Sequence, residues 1–543
     1  MENIKIRPNT KIGQLDAEND ASFLTECFID NGLVNTLCDS MQSEAIILGR
    51  TGAGKTATLM HINEIVDKDN SKLIDLEDIF LNYLDNSNVI KFLRESGVNL
   101  EIFYKYLWRH IITVEFIKLK YPQWNSNNKL SNFINELANI IKKPQERVAF
   151  DYLKKWSDKY WIETDENIKE IVRTLTTDIK AGFESENPIV NITLEGAKEL
   201  SEEKKIEVQN RAQKIINSIQ LSDLSNVIKL MNDYIFSDSK NIYFLLIDKM
   251  DENWASIDIK YDLIKALIEE IRHFRNINNV KIIVSLRVDL YQLTLEKTRS
   301  NGFQEDKLQS LIYKLRWEED DLKEIVDKRI QFLYQKKYTK DSVVFEDIFP
   351  ANNKKGDAWS YLIQRTFLRP RDILQLVNYC LSNSVNKVSV DWGAIVNAEK
   401  EYSRDRLKAL YEEWYDIFPS LEYLVPILLD IPNEQMSADE LRERINDEAI
   451  IKTYQDLEKN NIKDSIFSSL QQYWEQDSSD ITDFRNEVIS CFYRTGLIGL
   501  SEDYPDSFDW SFKDVSYKSN MDCRKAKWAK VHKMFHHALH IKE

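Results

Sequence analysis

At 543 residues the chain has room for about three to four domains. A hydrophobic fraction of 43% supports folded cores and excludes a disordered polar chain. Seventy-three basic against 89 acidic residues leave a net charge of −16, which argues against unspecific nucleic-acid coating of the whole surface but leaves room for a local basic patch.

The first informative element is an apolar run, Ala45-Ile46-Ile47-Leu48, followed by Gly49-Arg50-Thr51-Gly52-Ala53-Gly54-Lys55-Thr56. The second segment is a complete G-x-x-x-x-G-K-[ST] phosphate loop, and the residues after it, Lys55 to Val66, predict a helix. Glycines let the backbone fold back and aim N–H groups at a phosphate, and the helix N-terminus adds partial positive charge. Lys55 is placed to meet the β- and γ-phosphates, and the Thr56 hydroxyl to ligate Mg²⁺. Gly49, Arg50, Thr51, Gly52, Ala53, Gly54, Lys55, Thr56 and Ala57 are therefore the candidate nucleotide contacts. ATP and Mg²⁺ are the expected cofactors.

Lys72-Leu73-Ile74-Asp75-Leu76 reads as a second strand. From about Leu81 to Phe236 helix formers dominate and glycine is scarce. Apolar residues recur at three and four positions, as in Phe133, Leu137, Ile140 and Ile141, and in Ile206, Val208, Ala212, Ile215 and Ile216. This predicts a large helical insertion. Its tryptophans Trp108, Trp124, Trp156 and Trp161 read as core.

Ile242-Tyr243-Phe244-Leu245-Leu246-Ile247 is an unbroken apolar run ending at Asp248. Such a run predicts a central parallel strand buried on both faces. A carboxylate at its C-terminal tip falls where ligands bind in open α/β sheets, so Asp248 is the candidate Mg²⁺ ligand alongside Thr56. Asp251 and Glu252 follow, either of them suited to orient or deprotonate an attacking water. The same acids also suit a solvated turn. Leu263 to Phe274 predicts a helix, and Lys281 to Leu286 a strand ending at Arg287. Arg287 suits a γ-phosphate sensor through charge-assisted hydrogen bonds, or a plain ion pair with Asp289. Leu311 to Leu315 is a last short strand before Arg316-Trp317.

The phosphate loop, the apolar run with Asp248, Asp251 and Glu252, and the strand ending in Arg287 resemble the STAND and KAP-like P-loop ATPases, in the additional-strand class that also includes AAA+ proteins. More narrowly, the chain resembles the FunZ-like ATPases of bacteria and prophages. That resemblance is carried by Asp16-Ala17-Glu18, Leu107-Trp108-Arg109, Arg369-Pro370-Arg371-Asp372, Val531-His532 and Ala538-Leu539. It implies a sheet with a strand between those carrying the phosphate loop and Asp248. It implies Arg371 as a sensor arginine at the start of a lid helix, and Asp251 or Glu252 as the catalytic acid. Lys249 stands where STAND proteins often have a small residue, which leaves that choice open. The fold expected is α/β: a P-loop NTPase parallel sheet with a large helical insertion, a helical lid and a C-terminal winged-helix-like region. The expected divisions are 1–80, 81–236, 237–320, 321–400 and 401–543.

Beyond the sheet, Asp320 to Lys337 predicts a helix, and Arg365 to Leu381 contains the lid helix with Pro370 at its start. Ser437-Ala438-Asp439-Glu440 reads as a capping box, and Phe484 to Thr495 as a helix stopped by Gly496. Leu497 to Leu500 and Phe508 to Phe512 are expected to pair as a wing. Lys513 to Lys542 carries eight Lys or Arg and two Asp, a local reversal of charge suited to DNA phosphate or an acidic partner. His532, His536 and His540 have i, i+4 spacing, but no Cys or acidic cluster completes a metal site, and a polar helix flank is the expectation.

No run approaches the ~20 apolar residues of a membrane span, so no membrane partner is expected. The first residues lack a signal-peptide core, and Cys27, Cys38, Cys380, Cys491 and Cys523 include no C-x-x-C pair. They read as reduced thiols of a cytoplasmic protein. Three functions remain open. One is a homo-oligomeric, Mg-dependent regulatory switch that hydrolyses ATP in response to a protein trigger or effector, with anti-phage defence as the setting the resemblance implies. The second is an AAA+-like ATP-dependent DNA-binding protein. The third is an ATP-binding structural partner with little turnover.

Overall fold

The structure is a computed structural model that describes residues 5–74, 76, 88–120, 177, 197–198, 200–218, 228–237, 241–252, 254–255, 257–298, 306–337, 341–351, 356–475, 481–503, 507–513, 518 and 520–542. It divides into two compact units. The first comprises Met1–Asn31, Arg50–Gly54 and Leu315–Glu543, and the second Gly32–Gly49 and Lys55–Lys314.

The second unit is mixed α/β. Its sheet has five parallel strands, β1 (Ile46–Gly49), β2 (Ser71–Ile74), β3 (Tyr243–Ile247), β4 (Val280–Arg287) and β5 (Ile312–Lys314), in the order β2-β3-β4-β1-β5. β4 thus lies between β1 and β3, the arrangement the resemblance implies. Every residue of β1 and β3 is buried, which explains their uninterrupted apolar sequences: a central parallel strand has no water-facing side. The register sets Gly49 opposite Arg287 and Ile247 opposite Val284, so that Asp248, one residue on, comes level with Ser285.

Helix α1 (Lys55–Ile65) follows the glycine-rich loop 49–54, and α2 (Glu101–Lys120) lies in the expected insertion. After it come α3 (Glu202–Ser218), α4 (Ile257–Phe274), which links β3 to β4, and α5 (Val288–Thr298). α2 packs on α4 rather than standing apart. Trp108 is fully buried, and its indole N–H donates to the Leu263 carbonyl at 2.8 Å. Arg109 meets Glu270 through two hydrogen bonds, 2.6 and 2.8 Å, inside the same contact. A buried pair of this kind favours one packing register, because losing either partner strands a charge. On α3, Val208 and Ala212 are buried but Ile206 is 54% exposed, so it does not join their apolar face. Phe133, Leu137, Ile140, Ile141, Trp124, Trp156 and Trp161 lie outside the described residues, as do the side chains of Ile215 and Ile216.

The first unit has one apolar core shared by α6 (Glu319–Lys337), α7 (Pro370–Ser382), α8 (Trp392–Trp414) and the C-terminal elements. Pro370 occupies the first turn of α7, where no N–H partner is lost. Asp391 caps α8 by accepting from the Ala394 N–H at 2.8 Å. Ser437 caps α9 (Ala438–Arg444) through the Glu440 N–H at 3.0 Å. α10 (Asp447–Lys459), α11 (Ser465–Glu475) and α12 (Thr482–Thr495) follow, and α12 ends at Gly496 with a φ of 88°.

The expected wing is corrected. The C-terminal sheet is three-stranded and antiparallel, in the order β6 (Gln435–Ser437), β8 (Trp528–Val531), β7 (Ile498–Ser501). The 508–512 segment makes one isolated bridge, Leu500 to Asp509. Its aromatic side chains explain the difference. A Cβ on Gly499 would sit 2.7 Å from the Trp510 ring, and Trp510 and Phe512 pack edge-on against His532 at 5.0 and 5.1 Å. The segment covers the sheet as a lid of rings, and β8, with Ala529 and Val531 buried, takes the strand position.

The expected histidine helix flank is also corrected. Lys533–Phe535 forms a single 3-10 turn, His532 and His536 are buried, and His540 takes left-handed backbone with a φ of 59°. No described helix is long and apolar enough to cross a membrane. The five cysteines are free thiols, four of them buried.

Candidate functional site

In the second unit, parallel packing brings the C-terminal ends of β1, β3 and β4 together. The side chains gathered there are Lys55, Asp248, Asp251, Ser285, Arg287 and Asp289. Lys55 donates to the Gly49 carbonyl at 3.1 Å. It retains some exposed surface, yet its ammonium sits deep enough for burial to lower it to about 8; Arg287 reinforces the shift, and Asp251, Asp248 and Asp289 oppose it. Thr56 and Ala57 form the first turn of α1 with Lys55 and are half-buried.

Asp248 is 5% exposed. Ser285 Oγ donates to its Oδ1, while Oδ2 is buried and meets no hydrogen-bond donor among the described residues. An orphan carboxylate oxygen at a strand tip suits a hard divalent cation, which takes oxygen ligands. Asp248 could therefore hold a divalent cation such as Mg²⁺. Among the described residues no cluster of three or more His, Cys, Asp or Glu forms a separate metal site.

The two candidate acids have different surroundings. Lys249 takes a left-handed φ of 59°, a conformation that costs a residue with a Cβ about 1 kcal/mol. The Glu252 N–H closes the turn onto the Lys249 carbonyl at 3.1 Å. Asp251 Oδ2 lies 3.3 Å from Arg287 Nη1. Burial pushes the Asp251 carboxyl up, but Arg287 and Lys55 outweigh it and hold it below the usual carboxylate range. The Glu252 side chain is 42% exposed and lies 3.8 Å from the Lys249 ammonium. Arg287 also grips Asp289 through two hydrogen bonds, 3.0 and 2.6 Å. One guanidinium therefore bridges Asp251 and Asp289.

In the first unit, loop residues Arg50–Gly54 are held from outside. Arg369 Nη1 donates to the Thr51 carbonyl at 2.6 Å, the Arg371 backbone N–H to the Gly52 carbonyl at 3.3 Å, and Trp317 Nε1 to the Ala53 carbonyl at 2.7 Å. Gly52 has a φ of 76°, and a Cβ there would lie 2.8 Å from Arg371 Cβ, so both conformation and space require glycine. The Arg50 guanidinium donates to the Arg494 carbonyl at 2.9 Å and lies over the rings of Phe367 and Trp414. Arg371 meets the loop through its backbone, and its Nε donates to the Leu15 carbonyl at 3.3 Å. Arg369, whose guanidinium bonds the Thr51 carbonyl, is buried in a network with Asp372 at 2.7 Å and Glu413 at 3.3 Å. Burial opposes ionisation of Glu413, but Arg369 and Arg406 hold its carboxyl down at about 2.

Sequence reasoning missed Ser285 and the loop contacts of Trp317 and Arg369, though the pairing of Arg369 with Asp372 and a nearby acid is one it allows. Ser285 had a signal, a polar residue inside an apolar strand. Trp317 and Arg369 had none within reach, since their loop contacts span 264 and 318 positions.

Comparison with known proteins places the FunZ-associated C-terminal helical domain at residues 320–411, which covers α6, α7 and most of α8. A FunZ-like relation therefore holds for this part of the chain. The chain is also 24% identical, over 479 residues, to the transposon gamma-delta 80.3 kDa protein of Escherichia coli (strain K12). That alignment covers 84% of this chain and 60% of the relative's length. A shorter similarity, 25% identity over 132 residues, links it to Allergen Alt a 2 of Alternaria alternata, covering 23% of this chain and 68% of that protein.

Proposed function

We propose that the chain is a P-loop ATPase that binds Mg·ATP through Gly49–Ala57 and hydrolyses it as a regulatory switch. The observation that carries this reading is the meeting of Lys55 with Asp248, Asp251 and Arg287 in one electrostatic neighbourhood at the strand ends. Lys55 would meet the β- and γ-phosphates. Asp248 and Thr56 would hold Mg²⁺, which when bound offsets phosphate charge and orients its oxygens. Asp251 would orient the attacking water by accepting its hydrogen bond, a role open to a carboxylate kept ionised by cations beside it. Arg287 would read the γ-phosphate by exchanging its bond to Asp251 for one to a phosphate oxygen. Glu252, exposed and beside Lys249, has less support as the acid.

On this reading the helices of 321–400 form a lid that nucleotide state biases, and residues 401–543 a winged-helix-like module. Self-association and a protein trigger or effector belong to the same proposal; a defence role against phage rests on the family resemblance. DNA binding through the C-terminal basic residues has less support. Arg524 pairs with Asp483 at 2.6 Å, Lys525 with Asp522 at 3.3 Å and Lys530 with Glu434 at 2.8 Å, so carboxylates already offset these cations. Phosphate release from Mg·ATP by the full chain, with and without duplex DNA, tests the reading. Turnover independent of DNA supports it; turnover that requires DNA favours a DNA-acting ATPase; tight binding without turnover favours a structural ATP-binding partner.

A further inference from the structure

Three consecutive carbonyls of the loop, those of Thr51, Gly52 and Ala53, each accept a hydrogen bond from a donor outside it. A trans peptide plane points its C=O and the next N–H to opposite sides. Fixing the Thr51 and Ala53 carbonyls therefore turns the Gly52 and Gly54 N–H groups to the reverse face. The Ala53 N–H closes the turn onto the Arg50 carbonyl at 3.1 Å. We propose that Trp317 and Arg369 are positioning residues for the phosphate loop, setting the peptide planes that present its N–H groups to the nucleotide phosphates.

Each donor is itself fixed. Arg369 is locked in plane by Asp372 and Glu413. Trp317 is half-buried and lies against Gly54, where an added Cβ would be 3.7 Å from its ring. Arg50 is turned away to Arg494 and Ser511, so the loop's one long flexible side chain before Lys55 is also tied outward. A phosphate cradle acts through backbone donors that must be in place before binding, and each peptide plane left free to rotate costs affinity. The inference rests on the nucleotide-binding reading.

The test uses the full chain and Trp317→Phe, which keeps an aromatic ring, smaller than the indole, and removes the N–H. Mg·ATP affinity is measured by isothermal titration calorimetry, together with the thermal midpoint and amide exchange of residues 50–54 without nucleotide. Expected are faster exchange at 52–54, an affinity about five- to tenfold weaker, the scale of one hydrogen bond, and an unchanged thermal midpoint. Arg369→Lys, which keeps the charge but loses the fork, is expected to weaken affinity by a similar factor. A purely structural role would lower the midpoint and leave affinity alone. Parent binding with unaltered affinity in Trp317→Phe overturns the positioning role; no Mg·ATP binding by the parent overturns the nucleotide reading, and the inference with it.

Discussion

Arg287 reaches Asp251 at 3.3 Å with the terminal nitrogen that its two-bond grip on Asp289 leaves over. This relationship separates two acids that are adjacent in sequence. It gives Asp251 a cation on one side and Lys55 within its electrostatic reach, while the more exposed Glu252 lies 3.8 Å from the Lys249 ammonium. Asp251→Asn is therefore expected to slow ATP turnover by ~10²–10⁴-fold with nucleotide binding retained, and Glu252→Gln to change turnover little. Single-turnover phosphate release compares the two. Equal losses in both variants would contradict the assignment.

Ser285→Ala should destabilise the second unit. It removes the donor to Asp248 Oδ1 and leaves both oxygens of a buried carboxylate without a described donor, at a cost of about 1–3 kcal/mol. Chemical denaturation measures the loss. Mg·ATP should restore part of it in this variant, because a cation on the carboxylate replaces the missing donor. An undiminished stability would place the hydroxyl outside the Asp248 network.

Nucleotide affinity should depend on pH through Lys55. Burial lowers its ammonium to about 8 in the nucleotide-free chain, and bound phosphate stabilises the charged form. Binding therefore takes up a proton above pH 8. Affinity should be level below about pH 8 and fall by about tenfold per pH unit above it, until the pKa of the complex is reached. Calorimetry at pH 8.5 in buffers of different ionisation enthalpy counts the proton. Absence of uptake would show that the Lys55 ammonium does not meet the phosphates.

Acid should destabilise the second unit through His110. This ring is buried, and burial lowers it to about 3 from an ordinary value near 6.5. Between those values the unfolded chain binds a proton that the folded chain does not. His110 therefore contributes stability above pH 6.5 that is lost as pH falls, by about 1.4 kcal/mol per unit. His110→Gln should flatten the pH dependence of unfolding between pH 4 and 6.5, whatever its effect at neutral pH.

What was legible in the sequence was local or periodic. The apolar runs 45–48 and 242–247 marked β1 and β3 because a strand covered on both faces tolerates no polar residue. Gly496 marked the end of α12 by the left-handed turn it permits. Distant contacts left no such trace. The Arg369 bond to Thr51 depends on packing across the first unit, and Arg371, two residues on, is an equally plausible guanidinium in the sequence. Phe508–Phe512 has strand-forming residues, but its rings cover Gly499 and His532 instead. Trp528–Val531 escaped notice because Lys527 and Lys530 made it read as part of a basic tail. Lys530 answers Glu434, which precedes the neighbouring strand β6.

The most direct measurement is calorimetric titration of the full chain with Mg·ATP, beside Lys55→Ala at the same temperature and salt. Lys55 supplies the loop's ammonium, and charge-assisted hydrogen bonds to phosphate are about twice as strong as neutral ones. Expected is saturable binding by the parent, at least tenfold weaker in the variant, with matching far-ultraviolet circular dichroism. Equal Mg·ATP affinity in the two chains, or no binding by the parent, would contradict the assignment of this loop as a nucleotide site.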